Sequence, residues 1–233
     1  KNLGVDITDE NEVVKNYIYV QKEINKRDGN SVRFLKTHAA LNDINGHKFT
    51  DLKNTLGAIY IVRDPRKIVL SYANHSQITL NESLDRLIEL RTLGGEKDEQ
   101  NQSVTHVGSW SSNYQSWKEF KKIKKYLLIK YEDLVSDPEK ALISILEFTH
   151  KLSNAKFMLD ETKLKNVLNS TTFENLQNLE KKNSFPEAIR GSDGKLITFF
   201  KYGKKNTGKN LPKEINSKIE QVLSSEMKEL GYL

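Results

Sequence analysis

The chain has 233 residues, 36% of them hydrophobic and 29% charged, with a formal net charge of +6 and no cysteine. That length suits one sizeable core, and no apolar run reaches the roughly 18 residues that a membrane-spanning helix needs. Without cysteine there are no disulfide staples, thiolate metal ligands or cysteine nucleophiles, and a cytoplasmic location is the default; the positive charge draws anions, so nucleic acid, acidic membranes and phosphorylated small molecules must be separated by motif.

The spacing of Val13, Val14, Tyr17, Ile18 and Ile24 predicts a helix over Asn11 to Lys26, stopped by a turn at Asp28-Gly29-Asn30. A short strand follows over Val32 to Lys36. Leu56 to Val62 is a continuous apolar run rich in β-branched residues, the pattern of a strand covered on both faces at the centre of a parallel sheet. Asp64-Pro65 then reads as the cap and first residue of a helix through Tyr72. Trp110 and Trp117 fall at helical spacing and are expected in the core. A second strand, Tyr126 to Ile129, is followed by Asp137-Pro138 and an amphipathic helix over Glu139 to Phe148. Two such strand-to-helix units predict an α/β fold with right-handed crossovers. Further helices are expected over Thr162 to Asn169 and Pro212 to Leu230, with Glu180 to Asn210 polar and irregular, a length that points to function or disorder. Residues 1–233 are expected to form one domain.

Ligands of open parallel sheets gather beyond the carboxyl ends of the strands. The residues there are Lys36-Thr37-His38, Arg63-Asp64-Pro65-Arg66 with Ser71, and Tyr131-Glu132-Asp133-Leu134. A guanidinium closing a buried strand is costly unless an anion or carboxylate pairs with it. Arg63 and Ser71 can therefore hold a phosphate dianion together, or Asp64 caps the helix while Arg63 pairs with a carboxylate and Ser71 faces solvent. Lys36 and His38 point to the same side if the strand runs through them. That suits a general base beside a fixed cation, and it equally suits an ordinary structural histidine. His47, His75, His106 and His150 have no metal-ligand spacing, and no metal is expected.

The segments KTH (36–38), IYIVRDPRKIVLSYANH (59–75), GSWSSNYQSW (108–117), YLLIKYEDLVSDPEKALISILEF (126–148), STTFENL (170–176) and FFKYGKKNTGKN (199–210) resemble successive blocks of the cytosolic-type sulfotransferase family, in the family's order. The resemblance runs from about residue 32 to the last residues. It implies a three-layer, P-loop-NTPase-like parallel sheet flanked by helices, and transfer of a sulfuryl group from 3′-phosphoadenosine-5′-phosphosulfate (PAPS) to an acceptor hydroxyl or amine. By the same likeness His38 is the base, Lys36 lies by the bridging oxygen, and Arg63 with Ser71 grips the 3′-phosphate. Tyr131 lies near the nucleotide, Thr171 and Phe173 lie against adenine, and Lys201 and Gly203 stand in the turn that closes over the 3′-phosphate. Lys201 replaces the family's arginine there, keeping the charge and losing the fork; Tyr202 replaces its lysine.

The family's PKSGTTW-like phosphosulfate loop does not occur in these residues. The expectation is a chain that starts after an N-terminal strand, loop and helix. Two alternatives stand beside the enzyme: a non-catalytic nucleotide- or phosphate-binding relative, and a basic nucleic-acid-binding protein. The latter calls for a contiguous basic stripe with exposed aromatics, whereas the lysines here fall in separate clusters, so no nucleic-acid partner is expected. The expected partner is a small-molecule, glycan or lipid acceptor, received by loops within 39–50, 76–106 and 180–198. A homodimer is compatible with the sequence.

Overall fold

The computed structural model describes residues 3–27, 32–94, 103–183, 190–191, 194–201 and 211–233. The expected turn at Asp28-Gly29-Asn30 and the pair Tyr202-Gly203 lie outside the described residues. In chain order the elements are α1 (Glu10–Lys15), α2 (Tyr17–Arg27), β1 (Asp43–Ile44), β2 (His47–Lys48), β3 (Ala58–Val62), α3 (Pro65–Ser76), α4 (Leu80–Ile88), β4 (Thr92–Leu93) and β5 (Thr105–His106). They continue with α5 (Trp110–Trp117), α6 (Glu119–Lys122), β6 (Tyr126–Lys130), α7 (Tyr131–Ser136), α8 (Pro138–Leu152), α9 (Glu161–Ser170), α10 (Phe173–Asn183), α11 (Lys213–Val222) and α12 (Ser224–Glu229). β3 and β6 pair in a parallel sheet flanked by helices. Antiparallel pairs join β1 to β2 and β4 to β5.

Packing divides the chain into two units, one of Lys1–Tyr60, Glu89–Leu128 and Phe148–Ala155, the other of Ile61–Ile88, Ile129–Glu147 and Lys156–Leu233. In the first, an aromatic chain of edge and tilted contacts runs from Tyr17 through Phe49 and Trp117 to Phe120, and Val14, Ala39, Ala40 and Tyr114 are buried with it. The expected helix over Asn11 to Lys26 is broken at Asn16, whose Nδ2 donates to Glu12 O at 2.7 Å. A side chain that bonds its own turn competes with the helical ladder at that point. Gly57 precedes β3 in a tight place: a Cβ there would lie 2.9 Å from Lys125 O and 2.5 Å from Leu152 Cδ1.

The expected strand over Val32 to Lys36 does not form. Residues 32–38 are exposed, Phe34 at 67%, and take part in no β-ladder among the described residues. β3 is also two residues shorter than the apolar run, and with Ile61 56% exposed the cover on both faces is incomplete; β6 is its one strand partner among the described residues, so there it stands at a sheet edge rather than at the expected centre.

In the second unit α3, α4 and α11 pack together. Leu84 and Leu87 of α4 are buried at helical spacing, and the buried hydroxyl of Ser83 donates to Val69 O at 2.8 Å. Ile215, Ile219, Leu223, Met227 and Leu230 form one buried stripe. Leu223 separates α11 from α12, so the helix expected over Pro212 to Leu230 is two helices, although the i, i+4 stripe continues through the break.

Candidate functional site

Arg63 follows the last residue of β3. Its guanidinium carbon lies 4.4 Å from the centre of the Tyr131 ring, a cation–π distance, and Nη1 donates a long bond of 3.4 Å to Ser71 Oγ on α3. Arg63 Nε is buried and has no hydrogen-bond partner among the described residues. Three of the expected residues are thus brought together by two strand-to-helix junctions, β3–α3 and β6–α7. A buried N–H left unpaired costs about 1–3 kcal/mol, and an oxyanion set against this guanidinium and the Ser71 hydroxyl removes that cost with charge-assisted bonds.

The neighbouring residues explain why Arg63 is not consumed by a carboxylate. Asp64 caps α3, its Oδ1 accepting from Arg66 N at 3.0 Å, with Pro65 in the first turn. Arg66 takes the acids: Nε and Nη2 donate to Asp64 at 2.9 and 2.8 Å, Nη1 to Glu220 at 2.9 Å, and Nη2 also to Tyr232 O at 2.9 Å. The bonds to Asp64 raise the Arg66 pKa against the opposing pull of burial. Glu132 accepts from Asp64 N at 3.3 Å, from Lys67 Nζ at 3.2 Å and from the Tyr232 hydroxyl at 3.0 Å. Burial pushes the Glu132 carboxyl up, but hydrogen bonds from its own backbone N–H, Lys67 and Tyr232 outweigh it and hold the group below its usual value. Burial first, then the charge of Glu132, drive the Tyr232 phenol upward.

Glu132 and Arg66 had no assigned role in the sequence. The signal was there: Glu132 stands two residues past the end of β6, as Asp64 does past β3.

Lys201 Nζ donates to Asn74 Oδ1 at 2.6 Å, and Asn74 sits one turn beyond Ser71 on α3, on the same helical face. The 199–201 segment is hung on α10 as well, where Gln177 Nε2 donates to Phe200 O at 2.6 Å and Glu180 accepts from Phe199 N and Phe200 N. Phe173, the first residue of α10, meets the edge of Phe200 at 6.1 Å. Thr171 ends α9, its Oγ1 donating to Val167 O at 2.7 Å. A cleft of about 620 Å³ opens beside this group, lined in part by Asn74, Gln77, Gln177, Lys195, Thr198 and Lys201. Gly203 lies outside the described residues.

Lys36 and His38 belong to the first unit. Both are exposed, and the His38 carbonyl accepts from Asn113 Nδ2 at 3.1 Å.

A sequence model described as the sulfotransferase domain matches residues 6–231. The chain belongs to the sulfotransferase domain family. Its relatives include luciferin sulfotransferase of Photinus pyralis, 27% identical over 172 residues, which are 69% of this chain and 40% of that protein. Cytosolic sulfotransferase 7 of Arabidopsis thaliana is 26% identical over 203 residues, 82% of this chain and 56% of the relative. The chain therefore spans about half the length of these curated relatives. Among solved structures it resembles retinol dehydratase in complex with androsterone and inactive cofactor PAP, with a TM-score of 0.54 and 16% identity over 94% of this chain and 64% of that one. Retinol dehydratase in a complex with retinol and PAP gives a TM-score of 0.50 and 16% identity over 74% of this chain and 48% of that one. At such identities the likeness establishes the sulfotransferase fold, the P-loop-like α/β class in which a parallel sheet is flanked by helices.

Proposed function

We propose that this chain belongs to a PAPS-dependent sulfotransferase that moves a sulfuryl group to an acceptor hydroxyl or amine. The observation that carries the reading is Arg63: a buried guanidinium nitrogen without a partner among the described residues, beside Ser71 and against Tyr131. These residues fit a 3′-phosphate, because a dianion satisfies the arginine fork and the hydroxyl at once. Thr171 and Phe173 border the adenine in this reading, and Lys201 with Gly203 closes over the phosphate, Lys201 as a point charge steadied by Asn74. No metal takes part.

When bound, PAPS supplies an activated sulfuryl group and a phosphate leaving group. His38 accepts the proton of the acceptor hydroxyl, which makes that oxygen nucleophilic. Lys36 balances the negative charge that builds on the bridging oxygen in an in-line transfer resembling phosphoryl transfer. The acceptor is a small molecule, glycan or lipid, and the reaction belongs in the cytoplasm, in keeping with the name of the Arabidopsis relative.

The test uses the full-length protein with radiolabelled PAPS and 2-naphthol as the acceptor. His38→Ala is expected to lower transfer by roughly 10²- to 10⁴-fold while leaving the calorimetric affinity for 3′-phosphoadenosine-5′-phosphate (PAP) unchanged. Transfer that survives His38→Ala rejects the base, and a wild-type protein that does not bind PAP rejects the reading as a whole.

A further inference from the structure

Residues 32–38 are exposed throughout, whereas Ala39 and Ala40 are buried. The imidazole of His38 therefore stands where an exposed segment enters the core, and its position depends on what grips the chain there. The backbone groups immediately after it are taken in order. His38 O accepts from Asn113 Nδ2 at 3.1 Å, Ala39 O from Trp117 Nε1 at 2.8 Å, Ala40 N donates to His106 O at 2.8 Å, and Leu41 N donates to Ser116 Oγ at 2.9 Å. Asn113, Ser116 and Trp117 are at i, i+3 and i+4 of α5, hence on one face of that helix. The helix is itself fixed at its start by a capping box, in which Ser109 Oγ accepts from Ser112 N and Ser112 Oγ accepts from Ser109 N.

Asn113 is the hub of this clamp. Its Nδ2 also donates to Val107 O at 2.8 Å, and its Oδ1 accepts from the Tyr60 hydroxyl at 3.0 Å. Two carbonyl oxygens require the NH₂ end of the amide and leave the carbonyl end for the phenol. Aspartate lacks the donors, and glutamine carries the amide one methylene too far. Tyr60 is held in turn by rings of Tyr114 and Tyr126 at 5.8 and 6.3 Å.

We infer that Asn113 is the positioning residue of the transfer reaction, fixing the backbone of His38 through its carbonyl and so aiming the imidazole. The inference rests on the catalytic reading of His38 given above. Loss of aim costs rate rather than nucleotide affinity, and the two are separable by experiment. In the full-length protein with PAPS and 2-naphthol, Asn113→Ala is expected to lower kcat by roughly 10- to 100-fold with KM for PAPS within about twofold of wild type. In a His38→Ala background it is expected to cause no further loss, since its effect passes through His38.

Tyr60→Phe, which keeps the ring and releases the amide, serves as the second variant if Asn113→Ala does not fold; a several-fold lower kcat is expected. A folded Asn113→Ala protein with wild-type kcat, or one whose loss multiplies with that of His38→Ala, overturns the inference and leaves the base intact. A wild-type rate in His38→Ala rejects the base instead. The same variants are followed by ¹³C-histidine NMR, where the His38 ring signal is assigned by its disappearance in His38→Ala. That signal is expected to shift and broaden in Asn113→Ala or Tyr60→Phe. An unchanged signal in both folded variants overturns the clamp whether or not 2-naphthol is turned over.

Discussion

Replacing Arg63 by methionine keeps an apolar stem of similar length and removes the guanidinium. In the folded protein without nucleotide, two effects oppose each other. The cation–π contact with Tyr131 at 4.4 Å is worth about 0.5–2 kcal/mol, and the Ser71 bond at 3.4 Å is too long to add much. Against this, removal of a buried N–H that lacks a partner among the described residues relieves about 1–3 kcal/mol. Folding stability should therefore fall by no more than about 1 kcal/mol, and can rise by as much as about 2.5 kcal/mol. Nucleotide binding has no such compensation. Truncating one side of a desolvated charge pair costs about 2–5 kcal/mol, which is roughly a 30- to 5000-fold rise in Kd for PAP. Urea unfolding and calorimetric titration of the same preparation measure both quantities. An Arg63→Met protein that loses several kcal/mol of stability yet binds PAP as well as wild type would refute the reasoning, because it would make Arg63 a structural residue.

The Glu132 carboxyl is held below its ordinary value of 4.5 in the folded state, so its contribution to stability is present above that value and is lost as pH falls through the lower folded value. The stability gap between wild type and Glu132→Gln, measured by urea unfolding, should narrow as pH drops from about 5 to 3; a constant gap contradicts the bonding to Lys67 and Tyr232 as the cause. Gly57→Ala forces a methyl group against the Lys125 carbonyl and Leu152 and should lower stability by about 1–3 kcal/mol in the same assay; an unchanged unfolding midpoint contradicts the tight approach.

The β3–α3 junction was legible because each signal is local: an apolar run sets the strand, and Asp64-Pro65 supplies both the cap and a residue with no N–H to lose. The pairing of Arg63 with Ser71 was readable for the same reason, with Ser71 only eight positions after Arg63. The breaks at Asn16 and Leu223 were not, since the apolar stripe in each case carries on through the interruption while a backbone detail ends the helix. The 32–36 segment has a strand's composition and failed as a strand because a ladder needs a partner that composition does not reveal. Asn113 was invisible for a related reason: it meets His38 across 75 residues of sequence. Glu132 lay inside a junction already marked, but its link to Asp64 and Tyr232 spans 68 and 100 residues.

The central claim is that Arg63 and Ser71 read a 3′-phosphate. Its most direct measurement is the ratio of the calorimetric Kd values of adenosine 5′-monophosphate and PAP, in the full-length wild type and in Arg63→Met. The 3′-phosphate should tighten wild-type binding by at least about 30-fold, and that preference should shrink to a few-fold in the variant. Equal affinity of wild type for the two nucleotides, or a preference undiminished in Arg63→Met, would contradict the account.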